Sequence, residues 1–301
     1  MLTTVVVVTW RGAAHITDCL DALAAQDRPH VALVVDNASD DGTAELLRRH
    51  PVRPKVLRLS RNTGFAGGIA AALSVVDTPL LAWLNDDAVP APGWLAALED
   101  AMAAGVAAVG SRLEYEGGVV QSLGVRLTPD GYGADHTAQA EPFGFCGGAA
   151  LLRADALRAV GGVPARFFCY YEDTDTAWRL RLAGWRVTVE PKAVVRHRHG
   201  ASTRPGSARF HRWNERNRLL MLLRCAPAGI ALRELARFCV ITATLPVRGR
   251  VPPAPNYRIG LRCRVLGEVV TALPATLWQR FVIGRRRTIG RAEIWREWAC
   301  Q

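Results

Sequence analysis

The sequence predicts an α/β protein with a mostly parallel central sheet flanked by helices and a C-terminal helical extension. Three observations carry this. Short apolar runs alternate with helically spaced segments from residue 4 to residue 84; two carboxylate-rich clusters, at Asp36 and at Asn85-Asp86-Asp87, follow directly on such runs; and beyond Pro205 the sequence turns helical and basic. Strands separated by helices imply right-handed parallel crossovers and a sheet covered on both faces. In such sheets ligands bind beyond the carboxyl ends of the strands, where both clusters fall. The 301 residues, 50% of them hydrophobic, suffice for one large domain and a smaller appendage, expected at 1–205 and 206–301.

In order, residues 4–9 read as a buried strand, 16–25 as a helix, 31–35 as a second strand and 43–49 as a short helix. A third strand is expected over 55–59, an alanine-rich helix over 68–76 and a fourth strand over 80–84. An amphipathic helix over 94–102 and a strand over 106–113 follow. The glycine-rich stretch 114–145 is long and irregular, as a substrate-facing loop region would be. Beyond it come a helix near 155–160, a helix over 177–183 that Gly184 stops, and strands over 185–189 and 193–196.

Composition narrows the class. Seven scattered cysteines without a CxxC pair argue against a disulfide framework or a zinc knuckle and for a reducing compartment. The sequence shows neither a signal-peptide pattern nor an uncharged apolar run of about 18 residues, so a cytoplasmic enzyme is expected. The net charge of +11 is concentrated: residues 196–301 hold 21 arginines against five glutamates, while the remainder holds 17 basic and 22 acidic residues. Only Lys55 and Lys192 are lysines, a bias that a GC-rich genome explains as well as any function.

Four constellations bear chemistry. Asn85-Asp86-Asp87, delivered at the end of a buried strand, suits a hard divalent cation with open positions for phosphate oxygens; the plain alternative is an Asp-rich turn opening a helix. Such a cation neutralises charge that builds on a nucleotide diphosphate leaving group. Tyr171-Glu172-Asp173-Thr174-Asp175 stands before a helix, where Asp173 either caps the helix or, facing a cleft, accepts the proton of an acceptor hydroxyl. His197 ends a short strand, with His199 close behind, and neutral imidazole ligates a borderline metal such as manganese, although lone histidines are more often structural. The loop Arg61-Asn62-Thr63-Gly64-Phe65-Ala66-Gly67-Gly68 is glycine-rich and precedes a helix, suited to phosphate or to close approach of a base.

Together and in this order these elements resemble glycosyltransferase family 2, the inverting enzymes with the GT-A fold, over about residues 3–203. Within it the wording of Gly147-Gly148-Ala149, Tyr171-Glu172-Asp173-Thr174-Asp175 and His199-Gly200-Ala201-Ser202 is most similar to bacterial rhamnosyltransferase-type members. The resemblance implies a nucleotide pocket formed by Thr9, Asp36, Asn62, Gly67, Asn85 and Asp86, with Asp36 on the base or ribose. It makes Asp87 and His197 ligands of Mn²⁺ or Mg²⁺, Asp173 the catalytic base, and Gly147, Gly148 and Glu172 acceptor-side residues. The activity implied is a single displacement with inversion, from a dTDP- or UDP-sugar (rhamnose or another hexose) to an acceptor hydroxyl. Lipid-linked glycan, cell-wall precursor and small natural product all fit as acceptors. Three positions depart from the family pattern: Asn85 replaces the first aspartate of its DxD motif, Ala70 a frequent asparagine, and Trp10 a usual tyrosine.

The basic tail has two readings. Arginines among Trp213, Leu219, Leu220 and Met221, and the apolar stretch 230–245, suit a helix lying on the inner face of an anionic membrane. They equally suit a helical subdomain packed on the catalytic domain or on the partner of a homodimer. No nucleic-acid recognition motif appears, and nucleic acid is not an expected partner. Two rival classes remain: a nucleotidyltransferase, which would show a basic glycine-rich loop after the first strand where Trp10-Arg11-Gly12 stands, and a non-catalytic sugar- or lipid-binding relative.

Overall fold

The computed structural model describes residues 1–138, 140–198 and 206–299. His199 and the expected boundary at 205 lie outside the described residues. The chain forms two compact units, the first comprising Met1–Arg126, Ala134–Arg181 and Trp185–His199, the second Leu127–Gly133, Leu182–Gly184 and Gly200–Gln301. The second thus takes in two short segments that a single linear boundary does not foresee.

The first unit is built on β1 (Thr3–Thr9), β2 (His30–Asp36), β3 (Lys55–Arg58), β4 (Leu80–Asn85), β5 (Ala88–Pro90), β6 (Val106–Glu114), β7 (Val120–Ser122), β8 (Val125–Leu127), β9 (Gly133–Asp135), β10 (Ala149–Arg153) and β11 (Arg186–His197). Among the described residues, nine strands form one sheet in the order β3-β2-β1-β4-β10-β6-β11-β5, with β7 on β6, while β8 pairs with β9 apart from it. All seven residues of β1 are buried, as its unbroken valine run requires of a strand covered on both faces. The chain runs outward through β1, β2 and β3, then returns to lay β4 on the other side of β1. Strand order therefore reverses between β1 and β4, and ligand crevices open at such a switch point.

The helices of this unit are α1 (Ile16–Ala24), α2 (Thr43–Arg49), α3 (Gly64–Leu73), α4 (Trp94–Asp100), α5 (Ala154–Ala159) and α6 (Glu172–Leu182). In α1, Ile16, Cys19, Leu20 and Leu23 are buried, the one-sided stripe of an amphipathic helix. Trp83 fills the core between the ring edges of Phe65 and Phe145, at centroid distances of 6.0 and 5.2 Å.

The expected α/β sheet flanked by helices is present, and within it β10, a strand not foreseen from the sequence, runs antiparallel between β4 and β6. Its Ala-Ala-Leu-Leu-Arg sequence consists of helix formers and leads straight into α5, so local propensity points away from a strand that tertiary pairing imposes. The glycine-rich segment 64–68 is the start of α3 rather than a loop before it. And α6 begins at Glu172, so Glu172 and Asp173 are its first two residues and Asp173 is not the cap.

The second unit carries α7 (Ala208–Cys225), α8 (Ala228–Thr244), α9 (Ile259–Arg286) and α10 (Arg291–Trp298). Many of its arginines work inside it. Arg212 and Arg216 meet Glu268 of α9, while buried Arg218 pairs with Glu215 and Glu234, and Tyr132 donates to Glu215 at 2.8 Å. Buried charges persist only when paired in this way. No helix among the described residues is long and apolar enough to cross a membrane.

Candidate active site

Parallel pairing aligns the carboxyl ends of three strands. Thr9 of β1 stands opposite Asp36 of β2, and Val8 opposite Asn85 of β4, so the nucleotide-side residues expected from the sequence share one edge. Thr9 Oγ1 donates to Asp86 Oδ2 at 2.6 Å, and His15 Nε2 lies 3.5 Å from the same oxygen; hydrogen bonding to Asp86 raises the His15 pKa against the lowering effect of burial. Gly12 is needed beside them: a Cβ there would stand 2.2 Å from Thr9 Oγ1 and 2.6 Å from Asp86 Oδ2.

Asp36 is fully buried, and its carboxylate takes the Ser39 amide at 2.8 Å and the Arg58 guanidinium. Next to it Asn37, which the sequence reading did not single out, accepts from the Thr63 amide and hydroxyl and donates to the Gly64 carbonyl. Asn62 in turn accepts from the Gly64 amide at 2.8 Å. Asn37 and Asn62 thereby fix the turn into α3. Gly64 is required there twice over, with φ +74° and with Phe168 O only 2.1 Å from where a Cβ would be. Gly67 sits over Thr63 in the same turn.

A second group converges on β11. The short β5 follows Asp87 and pairs antiparallel with β11, placing His197 opposite Ala88. His197 Nε2 then lies 3.2 Å from Asp87 Oδ1 and 3.1 Å from Asn85 Nδ2, while Nδ1 lies 3.0 Å from Gln121 Oε1. Gln121 was not legible in the sequence, being one glutamine in an irregular stretch. With the amides as placed, Nδ1–H donates to Gln121 and Nε2 accepts from Asn85, which turns the Nε2 lone pair toward the same region as the Asp87 carboxylate. Two lone-pair donors 3.2 Å apart fit a shared cation. Among the described residues no cluster of three or more His, Cys, Asp or Glu forms a metal set.

Asp173 is linked to these donors through a glycine pair. The Gly147 amide donates to Asp173 Oδ2 at 2.9 Å, and a Cβ on Gly147 would lie 3.3 Å from that oxygen. A Cβ on Gly148 would lie 3.8 Å from both Asn85 Nδ2 and His197 Cε1. Consecutive Cα atoms being about 3.8 Å apart, Asp173 and His197 are at most about 14 Å from one another. Gly147-Gly148 thus adjoins both groups, Gly147 touching the Asp173 carboxylate and Gly148 lying next to Asn85 and His197. Phe168, Tyr170 and Tyr171 precede the helix at φ 66°, 72° and 70°, a region bulky residues rarely adopt.

Burial raises the Asp173 pKa above the ordinary carboxylate value, against the lowering effect of hydrogen bonds from Gly147 and Thr174. Glu172 is 6% exposed, its Oε2 has no hydrogen-bond partner, and burial followed by the Asp173 charge pushes it up to about 8. Its unfolded value is near 4.5, so the folded protein keeps a proton that the unfolded chain releases, and stability falls as pH rises from about 4.5 to about 8. Glu172→Gln is therefore expected to raise the thermal midpoint at pH 8 by the equivalent of a few kcal/mol. Near pH 4.5 it should change little. Equal shifts at both pH values, read by differential scanning fluorimetry, would contradict this.

The fold is that of the GT-A glycosyltransferases. Residues 4–161, just over half of the chain, match the model of glycosyl transferase family 2, and the chain belongs to that family. Asp173 and His197 lie beyond the matched segment, so their grouping is a result of the geometry. The chain is 28% identical over 238 residues to N-acetylglucosaminyl-diphospho-decaprenol L-rhamnosyltransferase of Mycobacterium tuberculosis, covering 66% of this chain and 76% of that one. In fold it resembles mannosyltransferase PcManGT from Pyrobaculum calidifontis, solved with GDP-Man and Mn²⁺ (TM-score 0.55, 23% identity, 97% of this chain and 77% of that one). It also resembles S. aureus TarS 1-349 with UDP-GlcNAc (TM-score 0.58, 18% identity, 98% and 88%).

Proposed function

We propose that this protein is an inverting, metal-dependent glycosyltransferase that moves a hexose, rhamnose or a relative, from a dTDP- or UDP-sugar to a hydroxyl of a lipid-linked glycan acceptor. The observation that carries the reading is the convergence on Gly147-Gly148, where Asp173 is held by the Gly147 amide and His197, paired with Asp87, lies next to Gly148. Asp87 and His197 would hold Mn²⁺ or Mg²⁺, which when bound neutralises the donor diphosphate. Asp36, Asn37 and Asn62 shape the nucleoside end, with Thr9 and Asp86 locked between them and the diphosphate. Asp173 takes the proton from the acceptor hydroxyl as it attacks the anomeric carbon from the opposite face, and its raised pKa favours that transfer. The bond to the diphosphate oxygen breaks as the new glycosidic bond forms, so configuration inverts.

The lipid-linked acceptor rests on the mycobacterial relative, whose name specifies a diphospho-decaprenol substrate. The test is a panel of nucleotide sugars with Mn²⁺ and a polyprenyl-diphosphate sugar, followed by mass spectrometry. Release of a nucleoside diphosphate with a glycosylated lipid is expected. Pyrophosphate release would assign a nucleotidyltransferase instead, and no turnover with any donor would favour a non-catalytic relative.

A further inference from the structure

A surface helix needs one apolar face, toward its own core; α9 has two. Arg262, Val265, Val269, Thr276 and Ile283 are buried on the first. On the far side Ile259, Val270, Leu277, Trp278 and Phe281 are 47–66% exposed. At 100° per residue these five, with Cys263, Gly267 and Pro274 between them, fall within one stripe about 100° wide. The stripe follows a helix of 28 residues, about 42 Å, without an acidic side chain on it. Trp278 and Phe281 lie ring to ring at 5.7 Å near its C-terminal end. Exposed arginines bracket it, Arg258 and Arg264 at the start and Arg285, Arg286 and Arg287 at the finish. The one glutamate of the helix, Glu268, is engaged by Arg212, Arg216 and Arg264.

We propose that this outer face of α9 seats the protein on an anionic phospholipid surface, Trp278 and Phe281 entering the headgroup–acyl boundary while the terminal arginines meet lipid phosphates. The occupant follows from charge. A second copy paired along this stripe, parallel or antiparallel, would set arginine clusters against arginine clusters, because both ends are basic. An anionic bilayer complements both ends at once and accepts aromatic rings in between. The helix lies on the surface and does not cross it. The inference deepens the lipid-linked acceptor proposed above but does not rest on the donor chemistry.

The test is co-sedimentation of the full chain, without donor, with vesicles of equal parts phosphatidylcholine and phosphatidylglycerol and with phosphatidylcholine alone. Binding to the anionic vesicles, weakening with salt, is expected. W278D/F281D should lower it about tenfold or more while leaving the thermal midpoint and nucleoside diphosphate release intact. A second variant, R258Q/R285Q/R287Q, keeps the stripe and should lose the preference for anionic vesicles. Wild-type binding equal to that of both variants, or no binding to the anionic vesicles, overturns the proposal. So does a wild-type dimer, seen by light scattering, that W278D/F281D abolishes. Vesicle binding with no turnover would sink the glycosyltransferase reading and leave this one standing.

Discussion

Asp173→Asn is expected to lower turnover by about 10²–10⁴-fold, the range attributable to a positioned general base, with nucleotide affinity unchanged. The substitution keeps the shape of the side chain. It removes the charge that must receive the acceptor proton, and it leaves either the Gly147 amide or the Thr174 donors facing an N–H instead of an oxygen. One lost hydrogen bond costs about 1 kcal/mol, so the protein should stay folded. Glu172 does not substitute for the lost base. Held near pKa 8 by burial, it is mostly protonated at neutral pH. Steady-state kinetics with titration of the nucleoside diphosphate separate the cases. A fall in kcat at constant affinity marks a base, whereas lost nucleotide binding would mark Asp173 as a structural element of α6.

Strands β1, β2 and β4 were legible because buried parallel strands are continuous apolar runs, and the clusters at the carboxyl ends of β2 and β4 declare themselves by composition. The rest depends on pairing across long sequence separations. β5 is three residues with a proline, tolerable on an edge strand and invisible to periodicity, yet its register brings Asp87 to His197. β10 was hidden by its helix-forming residues, and Gln121 by its surroundings. The ED pair was recognised as a unit, but whether Asp173 capped the helix or faced Gly147 could not be read locally, because either role needs a carboxylate at a helix start. In the tail the sequence displayed arginine and apolar spacing together. Only the packing distinguishes α7, whose arginines turn inward to Glu215, Glu234 and Glu268, from α9, whose aromatic stripe turns outward.

Asp87→Ala should reduce turnover by about 10²-fold or more and, unlike Asp173→Asn, should weaken donor binding in Mn²⁺. The proposed cation site has two protein donors, so losing one would leave His197 Nε2 alone beside Asn85. Removing the metal with a chelator should reproduce the effect in the wild type and add little in the variant, since both act on one interaction. His197→Gln should resemble Asp87→Ala but less severely, because the carboxylate carries the charge and a carboxamide still offers a neutral oxygen donor. Gln121→Leu tests the orientation of the ring without touching either donor. Freed from its Nδ1 partner, the imidazole can turn its lone pair away, and the Mn²⁺ concentration needed for half-maximal donor binding should rise about tenfold. Isothermal titration of the nucleoside diphosphate across a Mn²⁺ series reads all of these. Equal donor affinity in wild type, Asp87→Ala and chelated protein would show that Asp87 and His197 meet for structural reasons, and the diphosphate would then require another source of positive charge.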